Sequence, residues 1–257
     1  MAYFWVTLAA FVASAVNSIA GGGTFLTFPA LTGPAHLAER VANMTSTIGL
    51  WPGSAAGVVA AKGDFRRIPR SILIPFVIIS IVGGTVGALL LVKTTNESFR
   101  LIIPWLLAFA TVIFACSRPI ARWAGRRHGD RSLKWTIIVS AIQVLVAVYG
   151  GYFGAGIGVL MLAGLSFAGL DDLHQMNALK VLLATTINGA AAIVFLSYKI
   201  EWRYALVMIA ASSVGGFIGM AVARRVKQEQ LRAVILTIGI ALTLFYFMKN
   251  YGLLKAG

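Results

Sequence analysis

The sequence predicts an all-α polytopic membrane protein with about eight transmembrane segments. They form two four-segment repeats, with segments one and five broken at glycine clusters. Three observations predict this. The 257 residues are 59% hydrophobic and only 12% charged, about half the charged share of a soluble domain. Apolar runs of roughly 17 to 25 residues, long enough to cross a bilayer, recur from one end of the chain to the other. Short motifs of the first half return in the same order in the second.

The segments lie at about 3–31, 41–61, 70–92, 99–116, 133–169, 175–197, 203–223 and 231–248. The first has no basic n-region and no obvious cleavage site, so it reads as a retained helix and not a signal peptide. It is too long for one ordinary span and contains Gly21, Gly22 and Gly23. Each glycine costs a helix roughly 1 kcal/mol relative to alanine. The fifth segment is also too long and contains Gly154, Ala155 and Gly156. The longest polar stretch, Ser117 to Lys134, reads as a junction. The expected organisation is a first repeat at 1–116, a basic linking loop at 117–132 and a second repeat at 133–257.

A net charge of +14 would suggest nucleic acid in a soluble protein. Here the cations sit in short loops between apolar segments, as cytoplasmic loops do beside anionic lipid. The expected partner is therefore the lipid bilayer and not nucleic acid. Eight simple crossings with a cytoplasmic N-terminus put the loops at 62–70 and 117–134 inside. That arrangement leaves Arg224, Arg225, Lys227 and Arg232 outside. Re-entrant first and fifth segments move that last loop inside and make the halves an inverted repeat. They also move Lys199 and Arg203 outside, and charge alone leaves both topologies open. The lone Cys116 excludes an intramolecular disulfide and a Cys-rich metal site.

The repeat rests on four ordered matches. Val82 to Ala88 (VGGTVGA) returns as Val214 to Met220 (VGGFIGM), 132 positions on. GGGTF at Gly21 returns as GAGIG at Gly154, 133 on; Asn43 returns as Asn177, 134 on; and KGDFR at Lys62 returns as KIEWR at Lys199, 137 on. One small-residue match would be weak, because such residues line many membrane helix interfaces. An ordered set with so little drift points to duplication.

Interrupted segments in corresponding positions of two halves point to a transporter's binding site. After Gly23 the chain can restart as a half-helix from Thr24, and after Gly156 from about Ile157. Each restart presents free N–H groups and the positive end of a helix dipole, which suits an anion. Close helix packing is the competing reading for these glycines, and the favoured one for Gly83, Gly84, Gly87, Gly215, Gly216 and Gly219. The embedded polar residues are Asn17, Asn43, Thr45, Ser46, Asn177, Lys180, Thr185, Thr186 and Asn188. Asn177 and Lys180 are spaced i, i+3 and share a helix face. Lys180 is the one charged side chain well inside an expected span; it pairs with an anion or snorkels to the surface. The hydroxyls of Thr185 and Thr186 either line a path or bond their own helix.

All eight acidic residues and His36, His128 and His174 lie in loops or at segment ends. No embedded carboxylate or histidine is therefore expected to relay protons or bind a cation. No GxSxG, no HExxH and no embedded catalytic pair is present. The expectation is no enzyme, no catalytic residue, no metal site and no cofactor.

In "NSIAGGGTFLTFPAL", "ANMTS", "GGYFGAGIGVLML", "MNALKVLLATTIN", "KGDF" and "KIEW", the chain resembles the TauE/SafE (TSUP) family of sulfite and organosulfonate exporters over nearly its whole length. The resemblance implies a multi-pass inner-membrane permease exporting small anions, chiefly sulfite or sulfur-containing organic acids. It points to Gly21–Gly23, Asn43 and Thr45 in one half and to Gly154–Gly156, Asn177 and Lys180 in the other. With Asn17, Thr24, Ser46, Thr185 and Asn188 these complete the candidate substrate-binding set. Ser46 stands where the second half has Lys180, so the site is expected to be chemically lopsided. An anion channel, another organic-anion permease and a structural or assembly protein remain alternatives. Oligomeric state is left open.

Overall fold

The structure, a computed structural model, describes residues 1–19, 23–63, 65, 68–125, 133–165, 173–222 and 228–251. All regular structure among them is helical. The helices are α1 (Ala2–Ile19), α2 (Thr24–Thr32), α3 (Glu39–Ala60), α4 (Arg70–Lys93), α5 (Asn96–Gly125), α6 (Leu133–Tyr152), α7 (Ile157–Leu165), α8 (Leu173–Phe195), α9 (Trp202–Val222) and α10 (Gln228–Asn250). The first and fifth apolar segments thus each contribute two helices.

Six helices among the described residues are long and apolar enough to cross a membrane: α1, α4, α5, α8, α9 and α10. The described apolar part of α6, Ile137–Tyr152, is shorter. The helix α3, expected as a span, is too polar to join the six, because Asn43, Thr45, Ser46, Thr47 and Ser54 dilute its apolar residues. Its surroundings explain why this is tolerated. Eleven of its 22 residues are buried, Asn43, Thr45, Ser46 and Ser54 among them, so protein covers its polar side chains.

The chain folds back after α1. A helix running on from Ala13 would carry Gly23 about 15 Å away, at 1.5 Å per residue. Instead, a Cβ on Gly23 would overlap the carbonyl of Ala13, so α2 starts beside the middle of α1. The same happens after α6. Phe153 to Gly156 leave the helix, and Gly154 and Gly156 have φ of +77° and +73°, a region that disfavours side chains. Tyr149 Oη then donates to Ala155 O at 2.8 Å across the turn.

Glycines set the helix packing. Gly83 and Gly87 of α4 meet Ala147 and Val148 of α6, and Gly84 meets Ile187 of α8. Gly215 and Gly219 of α9 meet Phe11 and Ala15 of α1, and Gly216 meets Gly53 of α3. In each contact an added Cβ would collide, mostly with backbone. These six glycines are therefore packing residues, and each of the two helices clasps the opposite half of the chain.

The contacts also order the helix ends. Tyr3 stacks near Tyr204, Glu39 meets Asn96 and Lys249, and Tyr152 Oη donates to Thr94 Oγ1. One end of the bundle thus holds the starts of α1, α3, α5 and α9 and the ends of α4, α6, α8 and α10. The ends of α3, α5 and α9 and the starts of α4, α6 and α10 lie at the other end.

Candidate substrate site

Lys180 sits in the second turn of α8 and is buried to 1% exposure. Burying an ammonium costs several kcal/mol unless it is paired. Lys180 Nζ meets three carbonyl oxygens at the end of α1: Asn17 O at 3.3 Å, Ser18 O at 3.5 Å and Ile19 O at 3.5 Å. α1 ends at Ile19, so these carbonyls belong to its last turn, where a helix's own hydrogen-bond ladder runs out. They form the negative end of its dipole, a favourable place for a cation. All three contacts exceed the usual 2.7–3.2 Å for N–H···O bonds, so the charge is held loosely. Asn177, one turn earlier on the same face, donates Nδ2 to Ser18 O at 3.4 Å. The expected Asn177–Lys180 face exists, and it points at the end of α1.

Beside the ammonium lies a cavity of about 10 Å³ lined by Asn17, Ser18, Ser54, Gly158, Lys180, Val181 and Ala184, the space of about one water molecule. Asn17 also reaches across the break, where its Oδ1 accepts from Gly23 N at 3.5 Å. Gly21 and Gly22 lie outside the described residues. Thr24 opens α2, and the starts of α2 and α7 are neighbours, since a Cβ on Gly156 would lie 3.5 Å from the Phe25 ring.

Other candidates are not brought to this cluster. Asn43 belongs to the second break, where its Nδ2 donates to Tyr152 O at 3.1 Å at the end of α6. Asn188 stands nearby, its Oδ1 3.8 Å from a Cβ placed on Gly154. Thr45 Oγ1 accepts from Glu201 N at 3.2 Å and so caps the start of α9. Ser46 Oγ pairs with Thr27 Oγ1 at 2.7 Å. Thr185 and Thr186 donate to Val181 O and Leu182 O of their own helix, at 2.8 and 2.9 Å. Sequence reasoning missed Ser18, Ser54, Gly158, Val181 and Ala184 in the cavity wall. None carries a charge or a long polar side chain, so nothing in the sequence sets them apart from the residues that pack helices together.

The sequence pattern described as Sulfite exporter TauE/SafE matches residues 6–246. The chain belongs to that family. Among its relatives is a "Probable membrane transporter protein ORF9" of a Sinorhizobium species, 24% identical over 240 residues that cover 92% of this chain and 89% of the relative. A "Probable membrane transporter protein" of Haemophilus influenzae is 25% identical over 239 residues, 91% and 89% of the two chains. The "Probable membrane transporter protein YfcA" of Escherichia coli K12 is 24% identical over 246 residues, 95% and 88%. This TauE/SafE protein is therefore a membrane transporter with a small-molecule substrate, surrounded by lipid. Family and relatives alike indicate transport and not enzymatic turnover.

Proposed function

We propose that this TauE/SafE transporter exports small anions, sulfite or sulfur-containing organic acids, across the inner membrane. The observation that carries the reading is Lys180. A buried ammonium held by three long carbonyl contacts is under-solvated, and an anion entering the adjoining cavity would supply the missing charge-assisted bonds. Asn177 and the starts of α2 and α7 bring donors and dipole ends of the sign an anion needs, and Lys180 stands between the anion and the carbonyls that end α1. The cavity is smaller than sulfite, so loading requires the helices around it to part. Rocking of one repeat (1–116) against the other (133–257) about the linking loop at 117–132 would part them in alternation. Rocking would have to slide or part the cross-half glycine seams, and the reciprocal clasping by α4 and α9 there supports the two-repeat organisation. So do the paired contacts Asn43 to Tyr152 and Asn177 to Ser18, 134 positions apart in both donor and acceptor.

Thermal unfolding of the detergent-purified protein tests the proposal, with sulfite, sulfate, thiosulfate, taurine, sulfoacetate and chloride in parallel. A ligand bound only by the folded state stabilises it by about 2.7 kcal/mol at a hundred times its Kd. One sulfur oxyanion or sulfonate should raise the midpoint selectively. Lys180→Met should lose the response, and Lys180→Arg should keep part of it. An undiminished shift in Lys180→Met removes Lys180 from the site, and no shift with any anion refutes the anion reading. Counterflow in vesicles then separates a carrier from a channel.

A further inference from the structure

The two broken helices end differently. At the end of α1, Asn177 reaches Ser18 O and Lys180 reaches Asn17 O, so an amide and a cation cover the negative pole. At the end of α6, Asn43 reaches Tyr152 O in the same way. Three residues after Asn43, at the step that leads from Asn177 to Lys180, stands Ser46. Its hydroxyl is engaged by Thr27. No cationic side chain among the described residues bonds to the end of α6. Gly154 N turns back to Tyr149 O, and no hydrogen bond among the described residues ends on the carbonyls of Gly150 or Gly151. Asn43 Oδ1, in a side chain only 1% exposed, has no hydrogen-bond partner. A buried acceptor without a partner costs about 1–3 kcal/mol, and here it stands at the negative end of a helix dipole.

We infer that the end of α6 binds a small alkali cation, held by Asn43 Oδ1 and the carbonyl oxygens of Gly150 and Gly151. It takes the role that the Lys180 ammonium has at the end of α1. Neutral oxygen ligands and the absence of a carboxylate among the described residues there fit a single positive charge. A divalent ion would need anionic ligands to offset its dehydration. Ends of discontinuous membrane helices are suited to such ions. The site gives the transporter a second positive centre with no titratable group, and so a means of coupling to a cation gradient.

The test uses the full-length protein in detergent without any sulfur anion. Thermal unfolding is followed in NaCl, LiCl, KCl and choline chloride at equal ionic strength. The midpoint should rise selectively and saturably with one alkali cation. Asn43→Leu should abolish that response. Asn43→Asp, nearly isosteric and so expected to fold, should tighten it about tenfold by adding a charged ligand. Ser46→Lys should remove the response by placing an ammonium on the neighbouring turn. Equal responses to all four salts, no response, or a selective response unchanged in Asn43→Asp and Ser46→Lys would overturn the inference. Chloride is constant and no oxyanion is present, so the outcome is independent of the anion experiment above.

Discussion

Gly87→Ala is the sharpest test of how α4 holds the end of α6. The new Cβ would overlap Val148 O and stand 2.7 Å from Tyr152 N and 3.0 Å from Gly151 C, where ordinary contact is 3.4–4 Å. All three atoms are backbone, so no rotamer change relieves the clash, and the two helices must part by roughly 1 Å. A gap of that order forfeits a quarter to a half of each contact's attraction along the seam. Overpacking of this kind costs about 1–3 kcal/mol, and alanine returns about 1 kcal/mol through helix propensity. Against three backbone atoms the overpacking lies in the upper part of that range, about 2–3 kcal/mol, so the net loss is about 1–2 kcal/mol, or about 2–8 °C in Tm at 2–4 °C per kcal/mol. Gly63→Ala is the control, since nothing lies within 4 Å of its Cβ, and it should stay within about 0.5 kcal/mol of the parent. Thermal unfolding of the two purified variants side by side is the assay. Equal Tm values for Gly87→Ala and Gly63→Ala would refute the close-packed seam.

Two further predictions concern the break and the orientation. Gly156→Ala places a side chain at φ +73°, with its Cβ 3.2 Å from that of Ala110. It should lose about 1–2 kcal/mol of stability and most transport, and full flux in vesicles would show that the turn tolerates a side chain. The basic clusters of the sequence stand between α3 and α4, α5 and α6, and α9 and α10; the helix ends that flank them share one end of the bundle, which the positive-inside tendency assigns to the cytoplasm. In a Cys116→Ala background, an impermeant maleimide should label Thr95→Cys from outside right-side-out vesicles and Gly63→Cys only after permeabilisation. The reverse pattern would invert the orientation.

Helix content and the glycine seams were legible in the sequence because composition and small-residue spacing report directly on burial and close approach. The Asn177–Lys180 face was legible for the same reason, since helical spacing alone decides which side chains share a side. Their target was not. Hydropathy carries no direction, so nothing in residues 3–31 distinguished a straight span from the fold-back that sets Gly23 against Ala13. Both candidates grouped with Lys180 by polarity, Asn43 and Thr45, serve other ends. Each depends on partners more than a hundred residues away, Tyr152 and Glu201. Thr185 shows the opposite limit: a hydroxyl inside an apolar helix reads as a ligand, yet its own backbone four residues back takes the hydrogen.

The clasp of α9 on α1 has a consequence for biogenesis. Phe11 and Gly215 are neighbours in space but about two hundred residues apart in the chain. At 5–20 residues per second, α1 is synthesised about 10 to 40 s before its partner helix exists. During that interval the faces of Ser14 and Ser18 that later meet Gly216 have α3 beside them but lack α9. High contact order makes assembly slow, and the order of synthesis makes the first half an unfinished surface awaiting the second. A ribosome stalled after α5 would leave that surface in the bilayer without the helix that covers it.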